Sequence, residues 1–290
     1  MTVSGFSFIR NGIRFDYPFL ESLSSLLPLV DELIVAVGDS DDDTRDRLLS
    51  LRSDKLRLID TVWDPTLRSG GSILAQQTNI ALSAVRGDWA IYLQGDEILH
   101  ERDYEAIRAS LRAAHEDRRV EGLLFDYVHF YGSHRFVGDS RRWYRHEIRA
   151  VRTNIGVQSW GDAQGFRIDG RKMRVRPAHA TVYHYGWVKP PQAQQAKQRS
   201  FNRLWHPDAW VERAVGTGED YAYSDGGKLH AFTGDHPGVM RERVAKENWE
   251  FRYDQTRLRL SLKERVLAAV EEKTGWRPGE YRNYELVREG

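Results

Sequence analysis

Carboxylates that could hold a cation or accept a proton occur at a few places in this chain, mostly just past apolar runs. Asp96 and Glu97 follow Trp89-Ala90-Ile91-Tyr92-Leu93, within Gln94-Gly95-Asp96-Glu97. Acids just past a strand can face a ligand at a sheet edge. Oxygen donors of this kind suit Mg²⁺ or Mn²⁺ bridged to substrate phosphates. The same pair also reads as two solvated acids in a turn before a helix. A second group, Gly38-Asp39-Ser40-Asp41-Asp42-Asp43-Thr44, follows the run Leu33 to Val37. Asp39 there can accept hydrogen bonds from a base or ribose, and its acidic neighbours suit solvation or helix capping. Asp162 is a single acid in the loop Ser159-Trp160-Gly161-Asp162. A Trp/Gly loop can keep a carboxylate partly dry, as a general base requires, although a turn-forming Asp fits too. His184, in Tyr183-His184-Tyr185-Gly186-Trp187, is either a satisfied core residue or a strand-end group reaching a metal or phosphate. The 10 histidines match no standard zinc spacing.

Groups able to meet phosphate lie nearby in sequence. Arg10 ends the first apolar run. Arg68-Ser69-Gly70-Gly71 precedes a helical pattern, where backbone N–H groups and a guanidinium suit an anion. Gln77, with Gln76 and Asn79, falls on that helix, on the turn nearest the sheet edge.

The elements that must position these groups alternate through the first hundred residues. Ser4 to Ile9 reads as a strand and Tyr17 to Leu27 as a helix. Leu33 to Val37 reads as a strand buried on both faces. A helix capped by Asp43 or Thr44 runs to about Leu51, a strand covers Leu56 to Ile59, and Ser72 caps a helix through Val85. Trp89 to Leu93 is the fourth strand and Asp103 to His115 another helix. This alternation predicts a parallel sheet with helices on both faces and ligands beyond the carboxyl ends of the strands. Gly122 to Tyr131, Ile148 to Arg152 and Thr181 to Trp187 read as later strands, and Gln192 to Trp205 as a polar helix. Residues 206 to 240 read as loop and turns. Leu262, Val266, Ala269 and Val270 form a helical stripe, suited to packing the C-terminal appendage or to dimer or membrane-surface contact.

Composition narrows the classes. With Lys+Arg 43 against Asp+Glu 42, the net charge of +1 argues for no nucleic-acid partner. Cysteine is absent, which excludes disulfides, thiolate metal sites and thiol nucleophiles and fits a reducing, cytoplasmic setting. No apolar run approaches the roughly 18 residues of a membrane span, and the N-terminus shows no signal-peptide pattern. The 9 Trp and 13 Tyr suit both cores and sugar platforms.

The ordered set is more telling than any member. A strand-end Arg10, a strand-end Asp39 before an acidic helix cap, a basic Gly loop and the Asp96-Glu97 pair together resemble the nucleotide-binding half of family-2 glycosyltransferases of GT-A fold, bacterial type. The family's Asp-x-Asp metal motif falls on Gln94-Gly95-Asp96. Arg149-Ala150-Val151-Arg152 followed by Trp160-Gly161-Asp162 is similar to its Arg-rich strand and acidic acceptor loop, and His184-Tyr185-Gly186 to a downstream segment.

The resemblance covers about residues 3 to 190 and implies an α/β GT-A fold: a mixed, mostly parallel sheet flanked by helices. Its nucleotide-binding half would span about 1–100 and its acceptor half about 101–190. Residues 191–290 would form a helical appendage. It implies an inverting transfer from a nucleotide-diphosphate sugar to a saccharide or other hydroxyl acceptor, assisted by Mn²⁺ or Mg²⁺. Asp39, with Arg10, Arg68, Gly70, Gln77 and Gln94, would meet the nucleotide. Asp96 would hold the metal with His184 or Glu97, and Asp162 would be the base. Gln94 departs from the motif's first acid and supplies no charge, and Asp162 is one methylene shorter than the usual Glu. Related-fold nucleotidyl transfer and non-catalytic nucleotide-sugar binding are the alternatives. Oligomerisation and peripheral membrane contact are both compatible with the sequence.

Overall fold

The structure, a computed structural model, describes residues 1–64, 66–67, 70–216, 218–223, 226–254 and 262–288. In chain order the N-terminal elements are β1 (Val3–Ile9), α1 (Phe19–Leu26), β2 (Glu32–Gly38), α2 (Thr44–Leu49), β3 (Leu56–Thr61), α3 (Ser72–Ser83), β4 (Trp89–Tyr92), β5 (Glu97–Leu99) and α4 (Tyr104–Glu116). There follow β6 (Gly122–Tyr131), β7 (Ser133–Gly138), β8 (His146–Arg152), β9 (Val157–Trp160), β10 (Gly165–Ile168) and β11 (Arg171–Trp187). The last part holds α5 (Pro191–Asn202), α6 (Asp208–Val215), β12 (Leu229–Ala231), α7 (Arg241–Ala245), α8 (Leu262–Thr274) and β13 (Tyr284–Leu286).

The sheet runs β3-β2-β1-β4-β8-β6-β11-β10-β9. Its β3-β2-β1-β4 part is wholly parallel, and β8 enters antiparallel between β4 and β6. This is the mixed α/β sheet flanked by helices that the sequence predicts. The β2 run is uninterrupted by polar residues because both its faces are covered. Leu33, Val35 and Val37 enter the core shared with Leu23 and Leu26 of α1 and Leu111 of α4. Ile34 and Ala36 enter the opposite core, against Ile73, Leu74 and Ala81 of α3. Strand alternation thus splits one apolar run between two helical layers.

Local expectations shift in four places. The acids after β2 mainly anchor backbone: Asp42 accepts the Thr44 and Arg14 amides at 3.0 and 2.7 Å, and Asp41 meets the Asn11 side chain at 3.3 Å. The first residue of α3 is Ser72, and its cap is Gly71 at φ 68°, which frees Ser72 from capping. β11 begins at Arg171, ten residues before the predicted start, because its first half is charged. Arg171 and Arg174 converge on Glu121, each at 2.8 Å, while the alternate Met173 and Val175 are fully buried. Among the described residues of 206–240, expected as loop and turns, are α6 and the short β12, which pairs with β7.

The C-terminal stripe departs from expectation as well. Leu262 and Val266 of α8 are 79% and 57% exposed, so these residues do not form the core of an appendage. The last hundred residues also add β13 alongside β11. Among the described residues no helix is long and apolar enough to cross a membrane.

Candidate functional site

Residues that follow β1, β3 and β4 line one side of a cavity of about 550 Å³: Arg10 and Asn11, Trp63, and Gln94 to Asp96. Its other walls come from β6 and β11 (His129, Tyr131, His184, Trp187), from the loop before β10 (Asp162, Gln164) and from α5 (Lys197, Phe201).

Asp96 owes its place to the pairing of β5 with β11. The register sets His184 opposite Glu97, and the Tyr185 amide donates to the Asp96 carbonyl at 2.8 Å. The Asp96 side chain then reaches the cavity beside His184, with Oδ1 3.8 Å from the imidazole Nε2. Both side chains are about 90% buried. On the other carboxylate oxygen, Lys197 of α5 places its ammonium 3.3 Å from Oδ2 and also donates to the Gly186 carbonyl at 2.8 Å. Burial pushes the Asp96 carboxyl up, but neighbouring basic groups, Lys197 foremost, bring it down to about 2. Gly186 must lack a side chain here, since a Cβ would lie 2.6 Å from both Asp96 Oδ2 and His184 Nε2.

A second histidine fixes how His184 is protonated. His129 Nε2 lies 2.8 Å from the Tyr144 carbonyl, which only accepts, so that nitrogen carries the hydrogen. Burial first, then the neighbouring His184, lowers the His129 pKa well below the ordinary value and keeps the ring neutral. Its Nδ1 is therefore an acceptor, and the contact of 2.9 Å to His184 Nδ1 makes that nitrogen the donor. His184 is pushed down too, by burial above all, so its Nε2 presents a bare lone pair. Two electron-pair donors, Nε2 and Oδ1, thus face each other with no hydrogen between them. Such a pair, with a hydrogen-bonded partner orienting the ring, is suited to a divalent cation. Among the described residues no cluster of three or more His, Asp or Glu could hold an ion, so substrate oxygens and water would complete the shell.

Glu97, the first residue of β5, faces away from the cavity and is fully buried. Arg149 holds both its oxygens, Nε to Oε2 at 2.8 Å and Nη2 to Oε1 at 2.7 Å, and Tyr127 and the Gln94 amide add bonds at 2.8 and 3.0 Å. Glu97 therefore secures the Gln94–Glu97 turn from behind, and its role as a metal ligand is set aside.

Asp162 lies on the cavity wall in a turn whose flanking Gly161 and Ala163 both have positive φ, 64° and 66°. The turn abuts the start of α3: a Cβ on Gly71 would come within 2.8 Å of the Asp162 Cβ. Burial raises the Asp162 pKa above the usual carboxylate value. Gln94 also lines the cavity, its amide donating to the Ala163 carbonyl at 3.4 Å, which ties the two sides together.

The remaining sequence candidates divide. Arg10 lines the cavity, its guanidinium over the Trp63 ring at 5.3 Å and 3.3 Å from Asp39. Asp39 is partly exposed outside the lining and accepts the Trp63 amide at 3.2 Å, so it orients Arg10 and Trp63. Gln77 is fully buried behind the wall, where it accepts from Thr61 at 2.6 Å, and it lines nothing. Gly70 is exposed with φ 58° and lies outside the lining. Arg68 lies outside the described residues. Sequence reasoning missed Lys197, Lys189, Trp63, Tyr17 and His129. Lys189 is fully buried, donates to the Phe15 carbonyl at 2.8 Å and lies 4.1 Å from the centre of the Tyr17 ring; Lys197 lies 4.9 Å from the same centre.

No family model and no curated protein matches the chain. Among solved structures, S. aureus TarS overlays with a TM-score of 0.41 and 16% identity, covering 73% of this chain and 42% of TarS. A TarS 1-349 structure in complex with UDP-GlcNAc gives a TM-score of 0.39 and 13% identity, covering 74% and 70%. Glucosyl-3-phosphoglycerate synthase from Mycobacterium tuberculosis, in complex with Mn²⁺, UDP and phosphoglyceric acid, gives a TM-score of 0.31 and 20% identity, covering 44% and 43%. The chain therefore spans less than half the length of the TarS structure it overlays at 16% identity.

Proposed function

We propose that the chain is a glycosyltransferase of the GT-A, family-2 type. It would move a sugar, with inversion, from a nucleotide-diphosphate donor to an acceptor hydroxyl. The observation that carries this reading is the facing pair of Asp96 Oδ1 and His184 Nε2 in a cavity that Asp162 also lines. Residues 1–190 would supply the transferase fold and 191–290 an appendage whose α5 closes one wall.

The donor's base and ribose would lie toward Arg10 and Trp63 and its diphosphate toward Asp96, His184 and Lys197. Asp96 and His184 would hold Mn²⁺ or Mg²⁺, which supplies positive charge to the departing diphosphate. Asp162 accepts the acceptor hydroxyl's proton as its oxygen bonds to the anomeric carbon. The bond from that carbon to the diphosphate oxygen breaks, and the nucleoside diphosphate leaves. Burial suits Asp162 to this task, because a base with a raised pKa accepts the proton more readily. The Lys197 ammonium adds fixed charge to the leaving-group side, where a partly desolvated site strengthens it.

Calorimetry with UDP, GDP and TDP, with and without Mn²⁺, tests the proposal. One nucleoside diphosphate should bind in the micromolar range with Mn²⁺, and Asp96→Ala should remove the metal-dependent part. Absence of any binding below millimolar concentration would sink it.

A further inference from the structure

Lys197 already occupies the carboxylate that a divalent cation would need. Its ammonium is 3.3 Å from Asp96 Oδ2 and is held from behind by the Gly186 carbonyl at 2.8 Å. Its side chain and that of Asp96 are only 12% and 9% exposed, so solvent screens the pair weakly. The fully buried Lys189 lies on the same side, around the shared Tyr17 ring. One carboxylate therefore faces the Lys197 ammonium before any ion arrives. A dication placed between Asp96 Oδ1 and His184 Nε2 would leave the locality strongly positive, with few protein donors to complete its shell. A nucleoside diphosphate supplies both the missing negative charge and the missing oxygens.

We infer that Lys197 makes cation and diphosphate binding mutually dependent. Its ammonium neutralises Asp96 when no nucleotide is bound and suppresses binding of a bare dication. When the diphosphate enters, the same ammonium turns its charge onto the phosphate oxygens. Free metal is excluded, and metal enters with the nucleotide. This rests on the donor-binding reading above and adds a residue and an order of binding to it.

The test is Mn²⁺ binding to the full chain, followed by electron paramagnetic resonance of free Mn²⁺, for wild type, Lys197→Met and Lys197→Arg, each without nucleotide and with saturating UDP or whichever diphosphate binds. Wild type should bind Mn²⁺ weakly alone and at least about tenfold more tightly with the nucleotide, the usual scale of coupling between two ligands. Lys197→Met should bind bare Mn²⁺ about tenfold more tightly than wild type and lose most of the coupling, while Lys197→Arg keeps it. Thermal melts of the three proteins show whether each is folded. Equal Mn²⁺ affinity in wild type and Lys197→Met without nucleotide overturns the inference, as does tight binding of bare Mn²⁺ by wild type. If no nucleoside diphosphate binds any of the proteins, the donor-binding reading fails instead. The bare-Mn²⁺ comparison still decides whether Lys197 guards Asp96.

Discussion

Glu97 and Arg149 meet in a two-bonded ion pair, at 2.8 and 2.7 Å, in which neither side chain is exposed. Arg149 also donates to the Gln164 carbonyl at 2.8 Å, so one guanidinium joins the turn bearing Asp96 to the loop bearing Asp162. Removing one partner leaves a buried charge uncompensated. Arg149→Met should therefore cost about 3–5 kcal/mol of folding stability by urea denaturation. The double variant Glu97→Gln/Arg149→Met should recover part of that loss. A loss under about 1 kcal/mol for the single variant would show that the pair does not hold these loops.

Gly186 tests the cation site without touching a donor. A methyl there would lie 2.6 Å from both Asp96 Oδ2 and His184 Nε2. Gly186→Ala should thus lower Mn²⁺-dependent nucleotide affinity by about tenfold or more, while the circular dichroism spectrum stays that of the wild type. Unchanged affinity would mean that the two donors need not stay where they are.

Asp162→Asn should leave nucleotide affinity within about twofold and reduce turnover by roughly 10²–10⁴, the usual contribution of a general base. The pH profile carries the sign. The base acts when ionised and burial raises its pKa, so the acid limb of the rate should fall at a pH above that of an ordinary aspartate. Persistence of full turnover in the variant would remove Asp162 from the reaction.

Glu147 on β8 gives a prediction about stability. Burial, with smaller contributions from Glu97 and Asp162 against Arg149, raises its pKa to about 8. A carboxyl whose folded pKa is raised favours the native state while protonated, and that stability is lost as pH climbs from the unfolded value of about 4.5 through about 8. Glu147→Gln should therefore match wild type near pH 4 and exceed it at pH 8, by on the order of a few kcal/mol at most. Parallel melting curves for both proteins from pH 4 to 8 would contradict the assignment.

The legible part of the candidate site was the part that ends strands. Asp96, Asp162 and His184 sit beside apolar or aromatic runs, whose period fixes where a following side chain emerges. Glu97 looked equivalent to Asp96 in sequence, but Asp96 lies in a turn and Glu97 opens β5, and only the position of Arg149 settles which one faces inward. Gln77 was misplaced by one helical face: the side chain nearest the sheet proved to be core, bonded to Thr61. Lys197 could not be read at all, because a lysine in the polar stretch after Gln192 looks solvated until α5 is laid against the sheet. The charged first half of β11 was hidden, since Arg171 and Arg174 are satisfied by Glu121 and Arg176 by Asp117, all far away in sequence.

β11 is 17 residues long and pairs with β5, β6, β10 and β13, and it carries His184 near its end. A strand clasped on so many edges opens only when much of the molecule opens, so its amides should exchange with solvent among the slowest in the chain. α5 has no such clasp; it meets the site through Lys197 and Phe201. The wall expected to give way first as ligands exchange is therefore that helix. The wall bearing His184 should open only with global unfolding, and the wall bearing Lys197 and Phe201 with the local opening of one helix.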